Sequence, residues 1–510
     1  MSMAGCTPRV PSEDATERVL DAALSRAQAL GASHADVRLA GTRHGALTMR
    51  DGGLEGNVDR DGRGIGVRVI VDGCWGFAAS DVITADEAAM LADRAVALAR
   101  VTRPLTTRRV EFAPEPVHRG SWESPYEVDP FEVPLAERLA VLGERSAALL
   151  RDRRIRHADA RLLAVRESVA YADSSGSRTT QTRRRIEAEW TATAIDPDSG
   201  AFESMATTAP PAGRGWEYVL GGGPQVGGAR PWDWDAELAA LPELVEEKLR
   251  APGVEPGPTT LVIDPTNLWL TIHESVGHAT ELDRALGYEA NYAGTSFATV
   301  DLLGTLRYGS PLMHVTGDRV APHGLATVAW DDEAVAAQSW DLVRDGILVG
   351  YQLDRAMAAE LGFARSNGCS YADAAAHVPI QRMPNVSLQP DPEGGSIDDL
   401  IAGVVDGLYI VGDRSWSIDM QRYNFQFTGQ RFHRIRHGRL VGQVKDVAYQ
   451  SRTPDFWGSL VALGGPATYL LGGALNCGKG QPGQVAAVSH GCPAAVFEGV
   501  NVLNSVREAG

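Results

Sequence analysis

The first clear period in the chain spans residues 14–30, where Val19, Leu20, Ala23, Leu24, Ala27 and Leu30 share one helical face and Gly31 follows as a cap. A short strand is expected at 35–39. Residues 64–79 read as a hairpin: Ile65, Val67, Val69 and Val71 alternate with smaller or polar residues, Asp72-Gly73 supplies a primed turn, and Trp75 and Phe77 continue the return strand. Gly62, Gly64 and Gly66 precede a strand rather than a helix, so they form a bend and not a phosphate loop. Thr84 and Glu87 frame a capping box that opens a helix to about Ala99, and a further helix is expected at 135–151. Residues 162–170 and 178–194 follow as long strands joined at Ser174-Ser175-Gly176.

The pattern changes after residue 220. A helix at 235–249, which Pro242 should interrupt, leads into the breakers Pro252-Gly253 and Pro256-Gly257-Pro258, and a domain boundary is placed there. Beyond it the segments 326–330, 342–351, 407–411, 424–435 and 440–447 are of β type, with hairpin turns at Asp345-Gly346 and His437-Gly438. The expected architecture is α+β in two domains. Residues 1–253 combine helices with antiparallel hairpins, and residues 254–510 are mostly β, a curved sheet or barrel that carries a metal-binding helix.

Composition narrows the function. The 510 residues carry a formal net charge of -17, which argues against a nucleic-acid partner. The run Arg183-Arg184-Arg185 reads as a solvated strand edge or hairpin. No membrane span is expected, since the most apolar stretch, 461–475, is broken by Gly464-Gly465, Pro466 and Gly472-Gly473. Residues 1–12 lack the apolar core of a signal peptide, so a cytoplasmic location is expected. Five cysteines (Cys6, Cys74, Cys369, Cys477 and Cys492) are too few for a disulfide scaffold and should be reduced. Trp190, Trp216, Trp232, Trp234 and Trp269 read as core and interface anchors, and His118, His157 and His323 as surface residues.

The chemistry concentrates in one place. Residues 259–263 read as a buried strand, and Asp264-Pro265 caps a helix that contains His273, Glu274, Gly277 and His278. The histidines are five apart, not the four of the usual zinc helix, so an ideal helix would splay them by about 140 degrees. They can share a metal only if the helix bulges or ends between them, and Gly277, with its conformational freedom, sits where that break is needed. His273 and His278 would then offer two nitrogens, with Glu274 as general base. A catalytic zinc wants a third protein ligand. Glu281, Asp283, Glu289, Cys369, His377, Cys477, His490 and Cys492 are the candidates. Cys477 stands out because Asn476-Cys477-Gly478-Lys479-Gly480 places a thiol in a glycine loop beside an ammonium.

The stretch His273-Glu274-Ser275-Val276-Gly277-His278-Ala279-Thr280-Glu281-Leu282-Asp283, with Gly294-Thr295-Ser296 and Cys477-Gly478-Lys479, resembles the TldD/PmbA metallopeptidases, specifically their metal-bearing TldD-type branch. The resemblance extends to Arg63-Gly64-Ile65-Gly66-Val67-Arg68-Val69, Asp72-Gly73-Cys74-Trp75-Gly76-Phe77-Ala78-Ala79, Asp345-Gly346-Ile347-Leu348-Val349-Gly350-Tyr351 and Arg382-Met383-Pro384-Asn385. It implies one Zn2+ held by His273, His278 and Cys477, with Glu274 catalytic. It also implies a homodimer, or a heterodimer with a related PmbA-type subunit, enclosing a cavity where short unstructured peptides are cut. Two departures bear on substrate preference: Gly478-Lys479-Gly480-Gln481 lacks an acidic residue often found there, and Ala374, Ala375 and Ala376 precede His377. The rival readings are a biosynthetic amide hydrolase acting on one natural-product intermediate, and a regulatory subunit whose metal is structural.

Overall fold

Long antiparallel strands organise the N-terminal part of the computed structural model, which describes residues 13–480 and 482–509. The N-terminal stretch assessed for a signal peptide, Cys6 within it, and Gln481 lie outside the described residues. The strands are β1 (His34–Arg50), β2 (Gly53–Val71), β3 (Cys74–Ser80), β4 (Arg119–Glu123), β5 (His157–Asp173), β6 (Arg178–Ile195) and β7 (Phe202–Ala206). Their order is β3-β2-β1-β5-β6-β4, with β7 on β6, and only the β4–β6 pair among them is parallel.

The expected hairpin at 64–79 is thus the end of a three-stranded meander. Asp72 and Gly73 have φ of 53° and 75°, as a primed turn requires, and Asp51 and Gly52 repeat the device with 48° and 80°. The first half of β2 escaped the sequence reading because its residues are polar and mostly exposed, so pairing with β1 rather than burial makes it a strand.

Two apolar cores share these strands. The helices Glu13–Ala29 and Ala85–Thr102 pack Leu20, Leu24, Leu91 and Val96 with Val37, Ile65, Val67 and Val69. The helices Leu135–Leu150 and Trp234–Arg250 bury Leu142, Leu238 and Val245 with Leu47, Leu162 and Trp190. Pro242 does not interrupt the latter helix. An internal proline costs about 3 kcal/mol, and the buried face of Leu238, Leu241 and Val245 offsets that cost.

Three further sequence expectations need correction. Arg183, Arg184 and Arg185 are buried, not solvated: Glu167 pairs with Arg183 at 2.6 Å and Arg185 at 3.0 Å, and Asp129 pairs with Arg184 at 2.7 Å. His323 is buried too, its Nδ1 3.0 Å from the Gly213 carbonyl. Residues 326–330 form no strand, since side chains take up their backbone groups: Asn385 Oδ1 accepts from Ala326 N–H, and Gln181 Oε1 from Ala329 and Trp330 N–H.

The C-terminal part is built on a closed barrel. Asp406–Ile418 pairs in parallel with Gly257–Ile263, and antiparallel pairings continue through Ala495–Asn504, Val447–Arg452 and Asn424–Arg436 back to Asp406–Ile418. Leu261, Ile263, Ile410, Phe427, Tyr449 and Phe497 share one core with Leu268 and Ile272 of the helix that leaves the first barrel strand. The turns at Asp345-Gly346 and His437-Gly438 are primed, as expected. A separate two-stranded ribbon, Leu470–Lys479 with Gln484–Cys492, packs against that helix. Among the described residues no helix is long and apolar enough to cross a membrane.

Candidate metal centre

The barrel strand Gly257–Ile263 delivers the chain to Asp264, whose Oδ1 accepts the Thr266 N–H at 2.9 Å, and Pro265 starts the helix Pro265–Ile272. At His273 the helix widens into one π-helical turn, His273–Gly277, in which the His278 N–H donates to the His273 carbonyl five residues back. The wider turn brings residues five apart to the same side, so the two imidazoles meet with ring centroids 4.7 Å apart. Neighbouring side chains take up the carbonyls that the widening disturbs: Tyr308 donates to Ser275 O at 2.5 Å, Thr280 to Val276 O at 2.8 Å and Gln352 to Gly277 O at 2.5 Å.

Gly277 does not draw on glycine's conformational freedom. Its φ of -53° and ψ of -61° suit any residue, but a Cβ there would lie 2.7 Å from Met383 Sδ. A larger residue here would require Met383 to shift.

Cys477 reaches the histidines from the ribbon strand Leu470–Lys479, not from a loop, next to a register shift between Ala474 and Cys477. Its Sγ stands 3.7 Å from His278 Nε2, and one ligand atom from each of His273, His278 and Cys477 lies within 4.8 Å of the others. Two ligands at about 2.1 and 2.3 Å from one tetrahedral ion would be about 3.6 Å apart.

The hydrogen bonds behind the rings fix which nitrogens face inward. His490 Nδ1 lies 2.9 Å from the Val386 carbonyl and must donate to it, so His490 Nε2 accepts from His273 Nδ1 at 2.7 Å. His278 Nδ1 is 2.8 Å from the Glu281 carboxylate, which is an acceptor. Both Nε2 lone pairs are therefore free for a shared ion, the arrangement that metal-bound histidines usually show. Burial keeps both imidazoles below their ordinary pKa. Burial raises the Cys477 thiol, but His278 and Arg382, 3.5 Å away, outweigh it and hold the thiol below its usual range. This donor set fits a divalent metal ion.

The remaining candidates stand behind this cluster or apart from it. The cation beside the thiol is Arg382, because Lys479 is buried among Glu281 at 3.0 Å, Asp283 at 2.8 Å and Glu289 at 3.8 Å. Cys492 points to the Pro265 carbonyl, Cys369 to Asn367 with its thiol pushed up to about 12 by burial, and His377 pairs with Asp373.

The three residues open into a cleft of about 510 Å3 shared with Glu274, Trp269, Asp413, Trp416 and Glu187. Trp269 therefore lines the site, while Trp190, Trp216 and Trp234 are core. Glu274 Oε2 accepts from Arg422 Nη1 at 2.6 Å. The sequence reading missed Arg422, which sits 148 residues from Glu274 with no local motif around it. Arg382 was present in a quoted motif, but its role needed the fold.

Comparison with known proteins gives a consistent picture. The family description "PmbA/TldA metallopeptidase C-terminal domain" matches residues 256–504, and "PmbA/TldA metallopeptidase domain 1" matches residues 35–99. A metalloprotease of Methanocaldococcus jannaschii is 24% identical over 432 residues, covering 83% of this chain and 87% of that protein. A zinc metalloprotease TldD homolog of Saccharolobus solfataricus is 22% identical over 223 residues, 44% and 47% of the two chains. Among solved structures, a putative modulator of DNA gyrase from Thermotoga maritima superposes with a TM-score of 0.72 at 14% identity, covering 96% of this chain and 100% of that one. TldE from Thermococcus kodakarensis gives 0.68 at 14% identity, covering 94% and 98%. These two likenesses concern the fold.

Proposed function

Because the chain belongs to the PmbA/TldD metallopeptidase family, we propose that it is a TldD-type zinc peptidase that hydrolyses short or unstructured peptides. The observation that carries this reading is the convergence of His273, His278 and Cys477 within 4.8 Å, open to the cleft that also holds Glu274. Three ligands rather than four match a catalytic zinc with one open position. The zinc relative and the hydrogen bonds that orient the two imidazoles support zinc as the ion.

When bound, zinc supplies a Lewis acid that makes water nucleophilic near neutral pH. The residues of this chain do the rest. His490 and Glu281 hold the two imidazoles in register, and Arg382 favours the Cys477 thiolate. Glu274, with Oε2 tied to Arg422, takes a proton at Oε1 from water as its oxygen bonds to the peptide carbonyl carbon. The C–N bond then breaks, and Glu274 passes the proton to the leaving amine. Trp269 and Trp416 give the cleft aromatic walls against which an extended peptide can lie. The family resemblance supports a dimer, either of two copies or with a PmbA-type subunit.

The test is a peptide-library digest by the parent and by Glu274→Gln. The parent should cut, a chelator should stop it, and zinc should restore it. Glu274→Gln should be inactive with its metal retained. Cleavage by Glu274→Gln at the parent's rate would refute the role of Glu274, and a parent that cuts nothing would refute the peptidase reading.

A further inference from the structure

Arg422 combines a fixed left-handed backbone, a buried bond to Glu274 and a buried donor with no partner among the described residues. It sits in the turn between the barrel strands Asp406–Ile418 and Asn424–Arg436 with a φ of 63°, a left-handed conformation that a non-glycine residue adopts only when its surroundings impose it. The Asp419 carboxylate imposes it by accepting N–H groups of Gln421, Tyr423 and Asn424, and Thr453 Oγ1 donates to the Arg422 carbonyl at 2.7 Å.

The side chain so aimed is largely buried, donates one Nη1 bond to Glu274 at 2.6 Å and lines the cleft. Its Nε is buried with no partner among the described residues. A buried cation with an unused donor is costly, and such cost recurs where function requires it. The charges around it are Glu274, Glu281 and Glu289 on one side of the balance and Arg284 on the other.

Resting on the peptidase reading above, we propose that Arg422 is a positioning residue for Glu274. Its Nη1 pins Oε2, so Oε1 is the oxygen left to accept the proton, and its remaining guanidinium charge faces the cleft beside the carbonyl under attack. Preorganised positive charge of this kind acts on the transition state more than on substrate binding. The consequence is a split: loss of Arg422 lowers kcat and leaves KM and metal content nearly unchanged.

The experiment measures kcat, KM and metal content of the full chain for the parent, Arg422→Ala, Arg422→Lys and Glu274→Gln on one peptide that the parent cuts. Arg422→Ala should lose about 100-fold or more in kcat, keep KM within about threefold, keep its metal, and regain at least about tenfold of the loss in millimolar guanidinium. A structural lesion would show no such rescue. Should Arg422→Ala not fold, Arg422→Lys carries the test: it keeps the charge without the fork and should lose at least about tenfold in kcat. A kcat within about threefold of the parent, or a loss that tracks metal content, overturns the proposal while leaving the peptidase reading intact. A parent without activity overturns both.

Discussion

His273 Nδ1 and His490 Nε2 lie 2.7 Å apart, and the Val386 carbonyl behind His490 decides the direction of the bond: His490 accepts and His273 donates. A neutral imidazole thus stands behind one candidate ligand, while the Glu281 carboxylate stands behind the other.

This asymmetry predicts how each residue can be replaced. Gln at position 490 keeps a donor for Val386 and an acceptor for His273, so His490→Gln should hold metal nearly as well as the parent. His490→Leu should lose about 10- to 100-fold in affinity. Competition with a chelator measures both. Equal affinities for Leu and Gln would show that the bond does not position His273.

Gly277 gives a second prediction. If space rather than backbone freedom fixes the glycine, Gly277→Ala should destabilise by about 1–3 kcal/mol through its clash with Met383. Shortening the neighbour, as in Gly277→Ala with Met383→Ala, should then cost less than the sum of the single changes. Strict additivity in urea unfolding would reject the steric account.

Asp413 carries a pH dependence. Burial pushes its carboxyl up to about 6, with Glu189 adding to the effect and the Trp269 N–H at 3.1 Å opposing it. An unfolded aspartate ionises near 3.9. The folded protein therefore holds this proton more tightly, a contribution complete below about pH 4 and lost as pH rises through about 6. Asp413→Asn should be more stable than the parent at pH 8, by at most about 3 kcal/mol and less in proportion to the carboxyl's partial exposure, and equal to it near pH 4. Thermal unfolding across that range provides the measurement; a constant offset would contradict the assignment.

The site was legible in the sequence to the extent that its chemistry is local. A five-residue histidine spacing demands a widened turn, and the chain supplies one at His273–Gly277. Cys477, singled out on its thiol chemistry, lies beside the two histidines, but its setting was misread: Gly478 belongs to a paired ribbon, and Lys479 serves the carboxylates behind His278. Arg183, Arg184 and Arg185 looked solvated because their partners Glu167 and Asp129 lie on other segments. The same holds for Arg422 and Glu274. Ion pairs closed by tertiary structure leave no periodic trace, whereas turns such as Asp72-Gly73 depend on two adjacent residues and read directly.

His273, His278 and Cys477 are proposed to hold one zinc, with Glu274 outside its ligand set. Elemental analysis of purified parent, His273→Ala, His278→Ala, Cys477→Ser and Glu274→Gln tests it most directly. One zinc per chain is expected in the parent and in Glu274→Gln, and less than about a tenth of that in each ligand variant. A parent free of metal, or a Cys477→Ser protein with its full complement, would contradict it.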